Sequence, residues 1–150
     1  MLFTNFPYLA DEEDFEKFRK AGIILTIGEI PEHLDFADLP QRSGREDETH
    51  RALKKLGGKM LRDLGALEVK FENNFIDVSS KSLQIAIKCG DTSISRVWSM
   101  LFNDFCSHWI KEVWCIYVNE STKIEHVRFV KPQSIIDYEK KIGWRETTSE

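Results

Sequence analysis

The run VWCIYV, Val113–Val118, constrains the fold more than any other stretch of this sequence. Every residue in it is apolar, and a continuous apolar strand is typical of a central strand that is covered on both faces of its sheet. The run is only six residues long, whereas a membrane-spanning helix needs about 20 apolar residues. The sequence therefore predicts a β-sheet between helices, and we expect no membrane segment.

The spacing of apolar and turn-forming residues places further elements around this strand. It predicts helices over 11–20, 46–64, 94–111 and 134–142, and strands over 22–28, 67–72, 75–79, 83–89, 113–118 and 124–130, with a long loop over 29–45. From residue 46 the order is α-β-β-β-α-β, which indicates the mixed α/β class: a mixed β-sheet flanked by helices, with an N-terminal helix–strand extension. In the helix over 94–111, we expect an apolar stripe to pack on the central strand; it comprises Trp98, Leu101, Phe105 and Trp109.

The size and composition of the chain favour one domain. It has 150 residues, of which 41% are hydrophobic, enough for one ordinary core. Within that domain we distinguish an N-terminal extension and loop (1–45), a core (46–118) and a C-terminal strand and helix (119–150). The three cysteines lack CxxC spacing, and no basic residue precedes Lys17. Both features favour a cytoplasmic protein without disulfides or a secretory signal.

The net charge of −4 is unevenly distributed along the chain. Residues 1–44 contain four basic and nine acidic side chains, residues 45–90 contain nine and seven, and residues 91–150 contain eight and nine. Phosphate groups are attracted to basic surface. The middle third is therefore the part of the chain that is best suited to face nucleic acid.

Two charged residues fall on adjacent predicted strands in this middle third. The segment FIDV contains Asp77 and the segment LQIAIKCG contains Lys88, and their separation suits a tight hairpin. With this element order, residues 46–118 resemble the restriction-endonuclease-like nucleases, the PD-(D/E)xK superfamily. In that family a helix carries an acid, the second strand carries an Asp, and the third strand carries an acid-x-Lys pair. The resemblance implies that Asp77 and Lys88 are catalytic residues.

The sequence departs from the family pattern at one position, because the residue two before Lys88 is Ala86 rather than an acid. A metal ion that polarises a phosphodiester needs several oxygen ligands, and Asp77 alone supplies few. Three explanations are compatible with this departure: a degenerate relative that does not cleave, an acid supplied from elsewhere in the chain, or an active site that was substituted.

Three other residues are candidates to complete the site. Glu46 matches the family's helix acid, and His50 lies one turn later on the same helical stripe. Glu72 ends the first predicted strand, within reach of the hairpin. The resemblance implies that Asp77 and Glu46 bind Mg²⁺ or Mn²⁺ and that Lys88 orients a water molecule, with His50 and Glu72 as accessory residues.

Two functions of different class follow from these observations. The first is a metal-dependent nuclease that acts on DNA or RNA, or a catalytically impaired relative that binds nucleic acid; the family also implies a homodimer as an option. The second is a non-enzymatic protein that binds a protein partner, such as an inhibitor or a toxin-immunity protein. The acidic first third of the chain, including the loop from Glu29 to Asp38, favours the second function because acidic surface attracts basic partners.

Overall fold

The computed structural model describes residues 12–36, 48–119 and 121–145. These residues form one six-stranded mixed sheet flanked by four helices, so the predicted mixed α/β class is confirmed. The helices are α1 (Glu12–Lys20), α2 (Glu48–Asp63), α3 (Ile94–Phe102) and α4 (Gln133–Lys141). The strands are β1 (Ile24–Ile30), β2 (Lys70–Asn73), β3 (Ile76–Ser80), β4 (Ile85–Cys89), β5 (Glu112–Val118) and β6 (Ile124–Val130).

The sheet order is β1-β6-β5-β4-β3-β2, which puts β5 near the middle, as the apolar run predicted. The five central residues of β5 are buried. Strands β4 and β5 are parallel, and the other neighbours are antiparallel. A parallel pair needs a crossover connection, and α3 supplies it. The start of α3 therefore lies near the end of β4.

Each face of the sheet has its own hydrophobic core. One face packs against α1 and α3 through side chains such as Phe15, Phe18, Val97 and Leu101. The other packs against α2 through side chains such as Leu53, Leu56, Leu61 and Trp114. Neighbouring residues of β4 alternate between the two cores, because successive side chains of a strand point to opposite faces. None of the helices in the described ranges has both the length and the apolar character needed to cross a membrane.

The predicted helix over 94–111 is wrong in its second half. Helix α3 ends at Phe102, Asn103 caps it by donating its backbone N–H to the carbonyl of Ser99, and a short 3₁₀ turn follows over Phe105–His108. Asn and Asp compete with the helical backbone for hydrogen bonds, and the pair at 103–104 breaks the helical period. Phe105 is consequently 80% exposed, so its assignment to the core was wrong, whereas Leu101 and Trp109 are buried as predicted.

A buried ionic cluster attaches α4 and the residues after it to the sheet. Lys131 Nζ lies 3.0 Å from Glu139 Oε2, and Arg145 Nη1 lies 3.1 Å from Glu139 Oε1. Arg145 also donates hydrogen bonds to the carbonyls of Trp109 and Ile110. Burial lowers the pKa of Lys131 to about 8, although the charge of Glu139 opposes this shift. Glu139 therefore neutralises two buried cations at once.

The predicted loop over 29–45 is shorter than expected at its start, because Glu29 and Ile30 complete β1 and pair with β6. Residues 31–36 have no regular secondary structure. The rest of the loop lies outside the described residues, as does Glu46.

Candidate metal site

The candidate site begins where the β3–β4 ladder ends. The two strands pair from Ser80↔Ile85 to Val78↔Ile87. Beyond this pair, a side chain replaces the backbone acceptor: Asp77 Oδ2 accepts a hydrogen bond from the backbone N–H of Cys89 at 2.8 Å. The carboxylate is thus fixed in place, and its side chain is only 8% exposed.

A lysine and a histidine side chain flank this carboxylate. Lys88 Nζ lies 3.5 Å from Asp77 Oδ2, and His50 Nε2 lies 3.4 Å from Asp77 Oδ1. Lys88 also donates a hydrogen bond to the carbonyl of Phe75 at 3.3 Å. The structure therefore brings Asp77 and Lys88 within ion-pair distance of each other and adds His50 from α2.

The pKa of Asp77 is the balance of opposing effects. Burial alone raises the pKa of this carboxyl group, but the hydrogen bonds from His50 and from the N–H of Cys89, together with the charge of Lys88, lower it by more. The net pKa is below the ordinary value for Asp. Asp77 is therefore ionised at neutral pH, which is the state that a metal ion requires of a carboxylate ligand.

Glu72 completes a group that could hold a metal ion. One ligand atom from each of His50, Glu72 and Asp77 lies within 4.8 Å of the others. Glu72 also pairs with Lys54, whose Nζ lies 2.6 Å from Oε1. The two residues that the sequence offered as accessory, His50 and Glu72, thus meet Asp77. Glu46, which the family resemblance implied as a ligand, falls outside the described residues.

Ala86, the position of the missing acid, lies away from this group. Its side chain is fully buried in the core that α1 and α3 cover, between Ser79 on β3 and Val113 on β5. Lys88 is two residues further along β4, where the strand reaches the surface, and its side chain is 18% exposed. An acid at position 86 would therefore be surrounded by apolar side chains.

Two of the three candidate metal ligands, Glu72 and Asp77, line a cleft of about 530 Å³. The charged residues that line it are three carboxylates and two cations: Glu72, Asp77, Asp91, Lys88 and Arg96. Their net charge is −1, and a bound divalent cation would make it +1. The cleft could then attract an anionic substrate.

The start of α3 forms one wall of this cleft, which the sequence alone did not predict. Ser93 caps α3 by accepting the N–H of Arg96, and Thr92 lines the cleft while being 3% exposed. Thr92 Oγ1 has no hydrogen-bond partner within the described ranges. In the sequence, Asp91–Ser93 shows only the residue pattern that is typical of a helix cap. Because β4 and β5 are parallel, the connection between them, which contains α3, begins at the end of β4 beside Lys88.

Comparisons with protein-family models, with curated proteins and with solved structures found no match to this chain.

Proposed function

We propose that this protein is a divalent-metal-dependent nuclease that hydrolyses phosphodiester bonds in DNA or RNA. The observation that carries the proposal is that His50, Glu72 and Asp77 could hold one metal ion. Two of them, Glu72 and Asp77, line the same cleft as Lys88. A metal ion supplies two things to such a reaction: it polarises the phosphate and acidifies a water molecule.

The donor set bears on which metal fits. Mg²⁺ prefers oxygen ligands, whereas an imidazole nitrogen suits transition metals better. Two carboxylates and one imidazole therefore favour Mn²⁺ over Mg²⁺. The hydrogen bond from Cys89 leaves Asp77 Oδ1, which faces His50, as the oxygen that is better placed for a metal ion.

The two lysines of the site share one role in this proposal, and Lys88 has a second. Lys54 pairs with Glu72 and Lys88 pairs with Asp77, so both compensate the carboxylates in the metal-free protein. With a metal ion bound, Lys88 would be available to orient the attacking water and to stabilise negative charge that develops on the phosphate.

The test measures Mn²⁺ and Mg²⁺ binding by calorimetry and then cleavage of single- and double-stranded DNA and RNA. Asp77→Asn keeps the size of the side chain and an oxygen for the N–H of Cys89, but removes the charge. The control is Asp63→Asn, because Asp63 is 65% exposed on α2 and pairs with Lys59. We expect Asp77→Asn to lose metal binding and cleavage and Asp63→Asn to retain both.

The remaining outcomes are also decisive. Metal and nucleic-acid binding without cleavage would assign the chain to the catalytically impaired relatives of such nucleases. A wild-type protein that binds neither Mn²⁺ nor nucleic acid would refute the proposal.

A second candidate function, binding to a protein partner, is favoured by the edge strand β1. Within the described residues β1 ends the sheet, and its Ile24 and Ile27 are 53% and 40% exposed. An exposed apolar edge is a template for another strand, and the simplest partner is a second copy of this chain. Light scattering should then show a dimer that Ile27→Lys dissociates, and a monomeric wild type at all concentrations would exclude this mode.

A further inference from the structure

A second depression, of about 300 Å³, adjoins the metal-site cleft. The two share Phe75 and Arg96, so they form one continuous surface. The floor of the depression is apolar and includes Ile76, Met100 and Ile110, all of which are buried.

Two exposed phenylalanines border this depression. Phe75 is 87% exposed and Phe105 is 80% exposed. Polar groups lie among them, since Asn74 and Asp104 line the same depression. Arg96, which pairs with Asp104, stands between the depression and the cleft. The surface therefore combines aromatic faces, groups that can form hydrogen bonds, and a cation.

The backbone that presents Phe75 is strained. Glu72, Asn74 and Phe75 have φ values of +53°, +54° and +63°, in the left-handed region that a bulky residue rarely adopts. Such conformations are energetically unfavourable and cluster at functional sites. The turn between β2 and β3 thus places Phe75 on the surface next to Asp77 at an energetic cost.

We propose that this depression binds an unpaired nucleobase, with the adjoining phosphate in the metal-site cleft, so that the substrate is single-stranded nucleic acid. This inference rests on the proposed nuclease function and names its substrate class. Proteins that bind single strands stack bases on aromatic side chains beside a cationic path for the backbone. Phe75 offers the stacking face and Arg96 lies at the junction with the cleft, where the phosphate would enter.

Two features favour a base over a peptide as the occupant. The depression continues into the cleft that contains the proposed metal ligands. The start of α3 lines that cleft, and the Thr92 hydroxyl there has no hydrogen-bond partner among the described residues, which suits a phosphate oxygen. In a duplex the bases are stacked and paired, so they cannot enter the depression without being flipped out.

The experiment measures fluorescence anisotropy of labelled single-stranded and duplex oligonucleotides of the same sequence, as DNA and as RNA, with the full chain and Mn²⁺. We compare the wild type with Phe75→Ala, Phe75→Tyr and Phe105→Ala. The control is Tyr138→Ala, because Tyr138 is an aromatic side chain on α4 that is 61% exposed. Circular dichroism verifies folding, and calorimetry measures Mn²⁺ affinity for each variant.

We expect the wild type to prefer single strands and Phe75→Ala to bind them about 5- to 150-fold more weakly, the range that loss of one base–aromatic stack gives. Phe75→Tyr should retain binding, Tyr138→Ala should not change it, and Mn²⁺ affinity should be the same in all variants.

Three results would overturn the inference. One is equal binding of single strands and duplexes with no effect of Phe75→Ala. Another is normal Mn²⁺ binding without oligonucleotide binding, which would leave the metal site intact and remove its nucleobase site. The third is a loss of self-association in Phe75→Ala with unchanged oligonucleotide binding, which would make the phenylalanines a protein contact. Failure of Mn²⁺ binding in the wild type would instead count against the proposed function itself.

Discussion

Adding one carboxylate to β4 should have opposite consequences at two positions that are two residues apart. We expect Lys88→Glu to fold and to bind Mn²⁺ more tightly than the wild type, and Ala86→Glu to unfold. Position 88 is next to Asp77 at the surface end of the strand, whereas position 86 is fully buried in an apolar core.

The size of the effect at position 88 follows from Coulomb's law. Two carboxylates about 4 Å apart repel each other by about 4 kcal/mol at an effective dielectric constant of about 20. Because position 88 is partly exposed, we expect the metal-free variant to lose about 2–4 kcal/mol of unfolding free energy. A divalent cation relieves this repulsion, and every 1.4 kcal/mol relieved is about a tenfold gain in affinity, so Mn²⁺ should bind at least tenfold more tightly.

The cost at position 86 is larger and cannot be recovered by a metal ion. A buried Glu has a pKa of about 8–9, so it must take up a proton at pH 7, which costs about 4 kcal/mol relative to an ordinary Glu. Overpacking adds about 1–3 kcal/mol. The sum is comparable with the whole stability of many domains, about 5–15 kcal/mol.

Urea unfolding monitored by circular dichroism, with and without Mn²⁺, tests both variants together with calorimetric Mn²⁺ titration. A folded Ala86→Glu protein with tighter Mn²⁺ binding would show that residue 86 faces the cleft. A folded Lys88→Glu protein without any gain in Mn²⁺ affinity would show that Asp77 is not a metal ligand.

Three further predictions concern the fold and its pH dependence. Phe105→Ala should change the unfolding free energy by less than about 1 kcal/mol because the side chain is exposed, while Leu101→Ala should cost about 2–5 kcal/mol; equal losses in urea unfolding would contradict the break after α3. Glu139→Ala should cost about 3–5 kcal/mol because it leaves two buried cations without their carboxylate, and a thermal midpoint equal to that of the wild type would show that the cluster is dispensable. The pKa of Asp77 is lowered in the folded protein, so the ionised carboxylate stabilises the fold above the ordinary carboxyl pKa, and this stabilisation disappears as pH falls through the folded value. The difference in unfolding free energy between wild type and Asp77→Asn should therefore vanish in acid. A pH-independent difference would contradict an ionised Asp77.

The amino-acid sequence was sufficient to predict the class of fold and the proximity of two residues of the candidate site. The continuous apolar run of β5 can be satisfied only where both faces are covered, and this local property predicted a central strand. Asp77 and Lys88 were also predictable as neighbours, because a short hairpin between two adjacent strands leaves few registers open.

The other residues of the candidate site come together only through tertiary packing. His50 and Glu72 reach Asp77 from α2 and β2, and their meeting depends on how the helix packs across the sheet, which periodicity does not encode. Thr92 and Arg96 enter the cleft because the parallel β4–β5 pair places the start of α3 beside Lys88. Ala86 could be assigned to the same face as Lys88 from alternation, but only packing shows that this face is core at one residue and surface two residues later. A strand's side-chain period is local, whereas the depth of each side chain is set by the elements that cover it.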